Sequence, residues 1–142
     1  MKQEDKELLL KDLCARLSYG VKVAFFNEDL TYHSEPKTLT GIECINSLNY
    51  SSLEDEDGNT TIVEFCRPYL FPLSSMTEEQ RQEYTYIVNY ISPDDTDNWK
   101  EGEFIYVEQF TQLMHFYHRN HLDYRGLIPM GLAIDATGLN IY

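Results

Sequence analysis

The sequence has few of the features that mark catalytic and nucleotide-binding proteins. Only 7 of its 142 residues are glycine, and it holds no glycine-rich phosphate loop. A nucleophile elbow and a His-Glu-x-x-His pattern are also missing. These absences exclude the motif-defined nucleotide-binding, serine-hydrolase and zinc-protease classes. We therefore predict a protein that is not an enzyme and that needs no cofactor.

Basic residues are scarce, with 11 lysines and arginines against 24 acidic residues and a formal net charge of −13. Nucleic-acid affinity and docking on anionic membranes both depend on clustered lysine and arginine. The composition therefore predicts no direct nucleic-acid binding and no membrane binding. The acidic charge instead predicts a basic protein partner, although acidity also favours solubility.

Cysteine is limited to three residues, and no two form a Cys-x-x-Cys pair. This pattern predicts neither a closed disulfide set nor a zinc knuckle. Cys14, on the apolar face of a predicted helix, and Cys44 and Cys66, in predicted strands, are expected to be packing residues. Free thiols are typical of a reducing compartment, and residues 1–16 lack a signal-peptide pattern. We predict a cytoplasmic location.

The pattern of apolar residues predicts one α+β domain over residues 1–142. A helix is expected at 4–17, and a strand at 21–26 that forms a hairpin with 30–33. Strands at 39–48 and 60–70 are expected to pair around a polar loop at 49–59, and Pro68 and Pro72 should end the sheet. The expected architecture is an N-terminal helix, an antiparallel sheet of about four strands, two further helices and an irregular C-terminal wrap.

Different sequence patterns predict the two later helices. Thr77 and Gln80 form a capping box, which predicts a helix start with Tyr84, Ile87, Val88 and Ile91 as its buried stripe. The acidic stretch 94–103 is expected to be a loop. Helical spacing predicts a third helix at 104–119, with a core face formed by Val107, Phe110, Leu113, Met114 and Tyr117. For the tail, 123–142, a short strand and an irregular wrap are both open.

Three histidines lie within seven residues, at His115, His118 and His121, and Asp123 follows them. Imidazole and carboxylate are common metal ligands, so a site formed by His118, His121 and Asp123 is one hypothesis. The three imidazoles, however, fan across about 120° of helix surface, so a single metal reaches only a neighbouring pair. The alternative is that these histidines interact with the helix dipole and the last carbonyls.

Two more residues are candidates for ligand binding. Arg125 is a scarce base in an acidic chain and could bind an anionic ligand, or it could form an internal ion pair that anchors the tail. Trp99 is the single tryptophan and lies in the acidic stretch. Residues 53–64 imitate a calcium loop, but Leu53 replaces the first carboxylate, so a hairpin with Asp57 and Gly58 at its tip is the better interpretation.

Aromatic residues make up 13% of the chain, and 11 of them are tyrosines. Tyr84, Tyr86 and Tyr90 cannot all face one core, so some tyrosine surface should be exposed. Tyrosine is enriched at protein interfaces. The acidic stretches 54–57 and 94–103 with exposed tyrosines therefore predict contacts with a protein partner, and self-association through Trp99 and tyrosines is also open.

Three segments carry a family resemblance: LCARLSYGVKV at 13–23, RPYLFPLSSMTEE at 67–79 and HLDYRGLIPMGLA at 121–133. They resemble an uncharacterised group of small proteins from Bacteroides-type gut bacteria and their phages and prophages. The resemblance covers most of the chain and implies a genomic setting, not an activity. The leading hypothesis is a non-enzymatic accessory or regulatory protein that acts through protein contacts. The alternatives are a small-ligand or metal-binding protein using residues 115–125, an enzyme of another kind, and a self-assembling structural protein.

Overall fold

The computed structural model describes residues 1–44, 51–89 and 99–142, and for 99–107 it describes the backbone alone. Its helices are α1 (Gln3–Arg16), α2 (Glu78–Val88) and α3 (Trp99–Arg119). Its strands are β1 (Lys22–Phe25), β2 (Lys37–Cys44), β3 (Ser51–Asp55), β4 (Thr60–Thr61), β5 (Cys66–Leu70) and β6 (Ile134–Asp135). The α+β class expected from the sequence is confirmed.

Within the described residues the sheet has six strands in the order β4-β3-β2-β1-β5-β6, and it is mixed. All neighbours are antiparallel except β5 and β6, which are parallel. The prediction of about four antiparallel strands was therefore wrong in number and direction. Two of the additional strands are only two residues long, β4 and β6, and such short segments have no periodicity to detect.

The predicted pairing of 39–48 with 60–70 was wrong. β2 pairs with β3, which lies inside the stretch expected to be a polar loop, and β5 pairs with β1. β3 was missed because its buried positions include Ser51 and Asp55, so burial alternates along the strand while hydrophobicity does not. The segment 60–70 is not one strand either, because a 3₁₀ turn at Val63–Phe65 separates β4 from β5. Residues 45–48 of the predicted strand lie outside the described ranges.

Two predictions about strand ends also need correction. Pro68 does not end the sheet but lies within β5, opposite Val23 of β1. β6 pairs with Tyr69 and Leu70 but not with Pro68. On the β6 side of Pro68, no described strand therefore needs the backbone N–H that proline lacks. Residues 30–33 do not form a hairpin strand. They belong to an ordered loop that is closed by a single bridge between Phe26 and His33.

α1 packs across one face of the sheet, as its apolar stripe predicts. Leu9 and Leu13 are fully buried against Val23, Leu39 and Leu53 from the central strands. Cys14 and Cys44 are nevertheless exposed, and only Cys66 is buried. The predicted packing role is correct for Cys66 and wrong for the other two: Cys14 lies beside the buried stripe of α1, and Cys44 is the last described residue of β2.

α2 begins where the sequence indicates. The Thr77 hydroxyl accepts the Gln80 N–H at 3.2 Å, and the Gln80 side chain accepts the Thr77 N–H at 2.9 Å. Ile87 of the predicted stripe is buried, and Tyr86 is 66% exposed, as expected for a tyrosine that faces away from the core. Tyr90 and Ile91 lie outside the described part of the chain.

α3 begins at Trp99 and not at residue 104, so the last five residues of the predicted acidic loop are helical. Its core face agrees with the prediction in part, because Leu113 and Tyr117 pack against a buried cluster that contains Phe116. Phe116 is fully buried beside Ile87 and Leu122, whereas Phe110 is 63% exposed. The helical period was correct, but Phe110 lies away from the core because the C-terminal part of the helix is the part that packs on it. No helix within the described residues is both long and apolar enough to cross a membrane.

Candidate functional site

The histidine segment closes α3 and turns the chain toward the sheet. The Leu122 N–H donates to the Tyr117 carbonyl at 2.9 Å, and the His121 N–H donates to the His118 carbonyl at 3.2 Å. This pair of bonds is the Schellman arrangement that ends many helices. It places His121 in the left-handed region at φ 55°, a position that usually holds glycine. Phe71 then exchanges two backbone hydrogen bonds with His121 and Asp123 at 2.8 Å each, which fixes the tail to the end of β5.

The three imidazoles point to three different partners. His115 Nδ1 bonds the Tyr19 hydroxyl at 2.6 Å, and His118 Nε2 bonds the Tyr124 hydroxyl at 2.8 Å. His121 stacks on Tyr142, and its Nδ1 has no hydrogen-bond partner among the described residues. Burial lowers the pKa of His118, and burial with the nearby Arg16 lowers the pKa of His121 to about 4. Both therefore favour the neutral form.

Asp123 is used by the backbone of the tail. Its Oδ1 accepts the Leu127 N–H at 2.8 Å, and its Oδ2 accepts the Ile128 N–H at 2.9 Å. Both oxygens thus cap the turn that follows α3. Across the described ranges, no three histidine, cysteine or acidic side chains are grouped so that they could hold a metal ion, and His118, His121 and Asp123 are no exception.

A buried ion cluster joins the first helix to the tail, and sequence reasoning found only its outer member. Asp12 and Arg16 are both fully buried, with Arg16 Nε donating to Asp12 Oδ2 at 2.8 Å. Arg16 Nη2 donates to the Leu122 carbonyl at 2.7 Å. Arg125 Nε reaches the other oxygen, Asp12 Oδ1, at 3.2 Å. Arg125 therefore makes the internal ion pair that anchors the tail. The pairing of Asp12 with Arg16 could have been predicted from their (i, i+4) spacing on a helix.

The cluster carries more positive than negative charge. One carboxylate faces two guanidinium groups, both of which also lie over the Tyr124 ring, at 5.3 Å for Arg16 and 5.0 Å for Arg125. The aromatic face disperses part of that charge. Arg16 Nη1 is buried without a hydrogen-bond partner in the described chain. The cluster is consequently a structural joint in which Arg125, with a side chain 25% exposed, is the accessible member.

The first acidic stretch, 54–57, lies at the end of β3 and in the turn that leads to β4. Asp55 is buried, and its Oδ1 accepts N–H groups from Asp57 and Asn59, so it organises the β3–β4 turn. The turn has Gly58 at φ 81°, as the Asp-Gly pair predicts. Residues 94–98 of the second stretch lie outside the described ranges. Trp99 is the first residue of α3, and its side chain is not among those described.

An ordered loop between β1 and β2 is the exposed site that sequence reasoning missed. Asn27 Nδ2 donates to Asp29 Oδ1 at 2.6 Å and to Thr31 Oγ1 at 3.1 Å, and the Thr31 hydroxyl donates to Asp29 Oδ1 at 2.6 Å. Asn27 Oδ1 accepts the Tyr32 N–H at 2.9 Å. The hydrogen bonds from Thr31 lower the pKa of Asp29 and keep it ionised. The available signal was the spacing of Asn27, Asp29 and Thr31, which are residue types that bond their own backbone in turns.

The network presents apolar side chains to solvent. Leu30 lies in the left-handed region at φ 59° and is 50% exposed, and Tyr32 is 71% exposed. A bulky residue with positive φ is strained, and such strain is concentrated at functional positions. Glu28 and Asp29 are exposed beside them. We call residues 27–34 the β1–β2 loop.

A small cavity adjoins this loop. Its volume is about 180 Å³, and its lining residues are Phe26, Leu30, Arg67, Gly131, Ala133 and Ile134. Arg67 Nε donates to the Gly131 carbonyl at 3.1 Å, and its Nη1 donates to the carbonyls of Glu64 and Cys66. The guanidinium group thus holds the wall of the cavity together. Most of the lining is apolar.

Comparisons with known proteins do not relate this chain to a family or to a solved structure. Neither a protein-family model, nor a curated protein, nor a solved structure matches this chain.

Proposed function

We propose that this chain is a non-enzymatic accessory or regulatory protein of a bacterial or phage genome that binds a basic protein partner. The contact surface is the β1–β2 loop with its adjoining cavity. The observation that carries the proposal is the exposure of Leu30 and Tyr32 on a loop that is fixed by its own side-chain hydrogen bonds. The resemblance to the Bacteroides and phage group supports the genomic setting, and the free thiols support a cytoplasmic location.

Preorganisation explains why such a loop favours binding. Ordering a flexible side chain or loop segment on association costs about 0.5–1.5 kcal/mol per immobilised side chain. The β1–β2 loop is already ordered in the folded protein, because Asn27 and Asp29 fix its backbone. Binding therefore requires less additional loss of conformational entropy. Tyrosine adds large contact area with few rotatable bonds and is enriched among the residues that dominate interfaces. Tyr32 is therefore the expected central contact.

Charge favours a basic partner. Among the described residues, the buried charged side chains are Asp12, Arg16, Asp55 and Asp123, which together carry −2, so the rest of the chain carries −11 of the net charge of −13. Arg67 is also turned inward onto backbone carbonyls. The exterior is thus strongly acidic. Glu28 and Asp29 place part of this charge beside the apolar contact, where it attracts lysine and arginine.

The cavity favours a side chain over a small molecule. Ligand pockets usually measure about 300–1,000 Å³, and this cavity is smaller. One medium-sized apolar side chain is a suitable occupant, and the rim of the loop would contact the residues on either side of it. The proposed partner therefore presents an apolar anchor residue that is flanked by lysine or arginine.

Selection from a library of random displayed peptides tests this proposal. We expect the selected peptides to combine an apolar residue with flanking basic residues, and their affinity to fall as salt rises. Tyr32→Ala should weaken binding about tenfold or more. Leu30→Asn should weaken it too, since asparagine tolerates the left-handed backbone but removes the apolar contact. Tyr86→Ala, on α2, is the matched exposed-tyrosine control and should retain binding.

Three results would overturn the proposal. Selected peptides could be acidic or uncharged, which contradicts the charge argument. Tyr86→Ala could reduce binding as much as Tyr32→Ala, which removes the β1–β2 loop from the contact. Light scattering could show a dimer that Tyr32→Ala dissociates, in which case the loop binds a second copy of this chain.

A further inference from the structure

Cys14 and Cys44 are not buried in the core, and neither belongs to a group of described side chains that could hold a metal ion. Cys14 lies on α1, two residues before its last residue, and Cys44 is the last residue given for β2. Both are exposed, whereas Cys66 is buried.

The strand register places Cys44 on the face of the sheet that α1 covers. Cys44 lies opposite Ser51, and Ile42 lies opposite Leu53. Leu53 is fully buried in the same apolar cluster as Leu13 of α1, and Ile42 packs against that cluster. Since residues two apart on a strand share a face, Cys44 follows Ile42 on the side of the helix.

The helix brings Cys14 to the margin of the same cluster. Leu10 and Leu17 lie four residues before and three residues after Cys14, so they are its neighbours on the helix surface. Both pack against the cluster. Both cysteines thus lie beside one apolar cluster on the same face of the sheet, and burial first and then the nearby Cys44 thiol raise the pKa of Cys14.

We propose that Cys14 and Cys44 are a redox modification site, at which a reversible intramolecular disulfide links α1 to β2. The oxidant is a small-molecule disulfide such as oxidised glutathione. One cysteine thiolate attacks a glutathione sulfur, forms a mixed disulfide and releases one reduced glutathione. The second cysteine thiolate attacks the protein sulfur of that mixed disulfide and releases the second glutathione. The two thiol protons pass to the two glutathione thiolates, and the two electrons reduce the oxidant.

The cross-link would close a loop that contains β1, the β1–β2 loop and most of β2. Closing a loop of this size restricts the unfolded chain and stabilises the folded state. In a reducing cytoplasm the pair remains as thiols, and it forms the disulfide when the glutathione pool becomes oxidised. This inference is independent of the proposed partner.

Thiol counting on the intact protein tests the site. After treatment with oxidised glutathione at low protein concentration, the denatured wild type should retain one of its three free thiols. Peptide mapping should identify the Cys14–Cys44 link, and the melting temperature should rise until dithiothreitol is added. The Cys66→Ala control should form the same link, whereas Cys14→Ser should leave Cys44 carrying glutathione.

Other oxidation products would overturn the inference. Separate attachment of glutathione to Cys14 and Cys44 in the wild type would show that the thiols do not meet. A disulfide that involves Cys66, or one that forms only between two chains, would assign the chemistry to other pairs. Circular dichroism on each variant checks that the fold is unchanged.

Discussion

The His121 imidazole lies flat against the Tyr142 ring, with ring centroids 3.7 Å apart and planes 13° from parallel. Tyr142 is the last residue of the sequence and is 43% exposed, and its hydroxyl lies between two backbone groups. The hydroxyl donates to the Tyr69 carbonyl at 2.7 Å and accepts the Lys22 N–H at 2.8 Å. Burial raises the pKa of Tyr142 accordingly. The stacked pair therefore fixes the tail against β1 and β5.

Tyr142→Phe should reduce the free energy of unfolding by about 1–2 kcal/mol, because it leaves the Tyr69 carbonyl and the Lys22 N–H without this partner. Urea denaturation measures the change as a lower midpoint. Tyr32→Phe removes an exposed hydroxyl and is the control, with no expected shift. Equal midpoints for Tyr142→Phe and the wild type would show that the hydroxyl bridge contributes nothing.

Stability should fall as the pH decreases from about 6.5 to about 4, owing to His121. The unfolded chain binds a proton on this residue near pH 6.5, whereas the folded protein binds it only near pH 4. Between these values the unfolded state holds more protons, so acid favours unfolding, by roughly 3 kcal/mol at most. His121→Asn keeps a residue that tolerates positive φ and removes the titration.

Urea midpoints of the wild type and His121→Asn, compared between pH 4 and 7, measure this effect. We expect the difference between the two proteins to change across this interval and to be constant above pH 7. His118 contributes to the slope of both proteins, since its pKa is also lowered. Parallel pH profiles would contradict the assignment to His121.

Asp12→Ala should be the most destabilising single change in the ion cluster, by about 3–5 kcal/mol, because it leaves two guanidinium groups without their carboxylate. Arg125→Met should cost about 1 kcal/mol or less, since that side chain is partly solvent-exposed and water screens its ion pair. Chemical denaturation of both variants gives the comparison. If Asp12→Ala unfolds the protein, Asp12→Leu combined with Arg16→Met should recover part of the stability. Equal losses for the single variants would contradict the distinction.

Zinc should leave the melting temperature unchanged. Asp123 already accepts two backbone N–H groups, and His118 Nε2 is bonded to Tyr124, so a metal would have to break these contacts. A bound metal at a hundredfold excess over its Kd would add about 2.7 kcal/mol, which a melting curve detects easily. A zinc-dependent rise that His118→Ala abolishes would support the metal-site hypothesis instead.

Local rules were sufficient for the elements that sequence reasoning predicted correctly. The capping box at Thr77 and Gln80 starts α2 because both of its hydrogen bonds lie within four residues. The Asp57–Gly58 turn forms for a similar reason, since Gly58 supplies the positive φ that the turn requires. The stripe of α1 was found because its leucines repeat at the helical period.

The errors arose where distant residues decide the structure. Ser51 and Asp55 are buried polar residues whose positions depend on pairing with β2, which composition does not reveal. Phe116 replaces Phe110 in the core because the end of α3 is fixed by the tail. Asp12 and Arg125 meet across 113 positions of sequence, so the ion cluster could be recognised only in part.

The bond between Arg16 and the Leu122 carbonyl also sets an order of events during synthesis, because the two residues are 106 positions apart. A ribosome adds about 5–20 residues per second, so Arg16 is made roughly 5–20 s before its acceptor exists. During that interval α1 has a guanidinium group paired only with Asp12. Stable docking of α1 must therefore wait for the C-terminal tail, and a nascent chain stalled before Leu122 should be sensitive to proteases even though most of its sheet has been made.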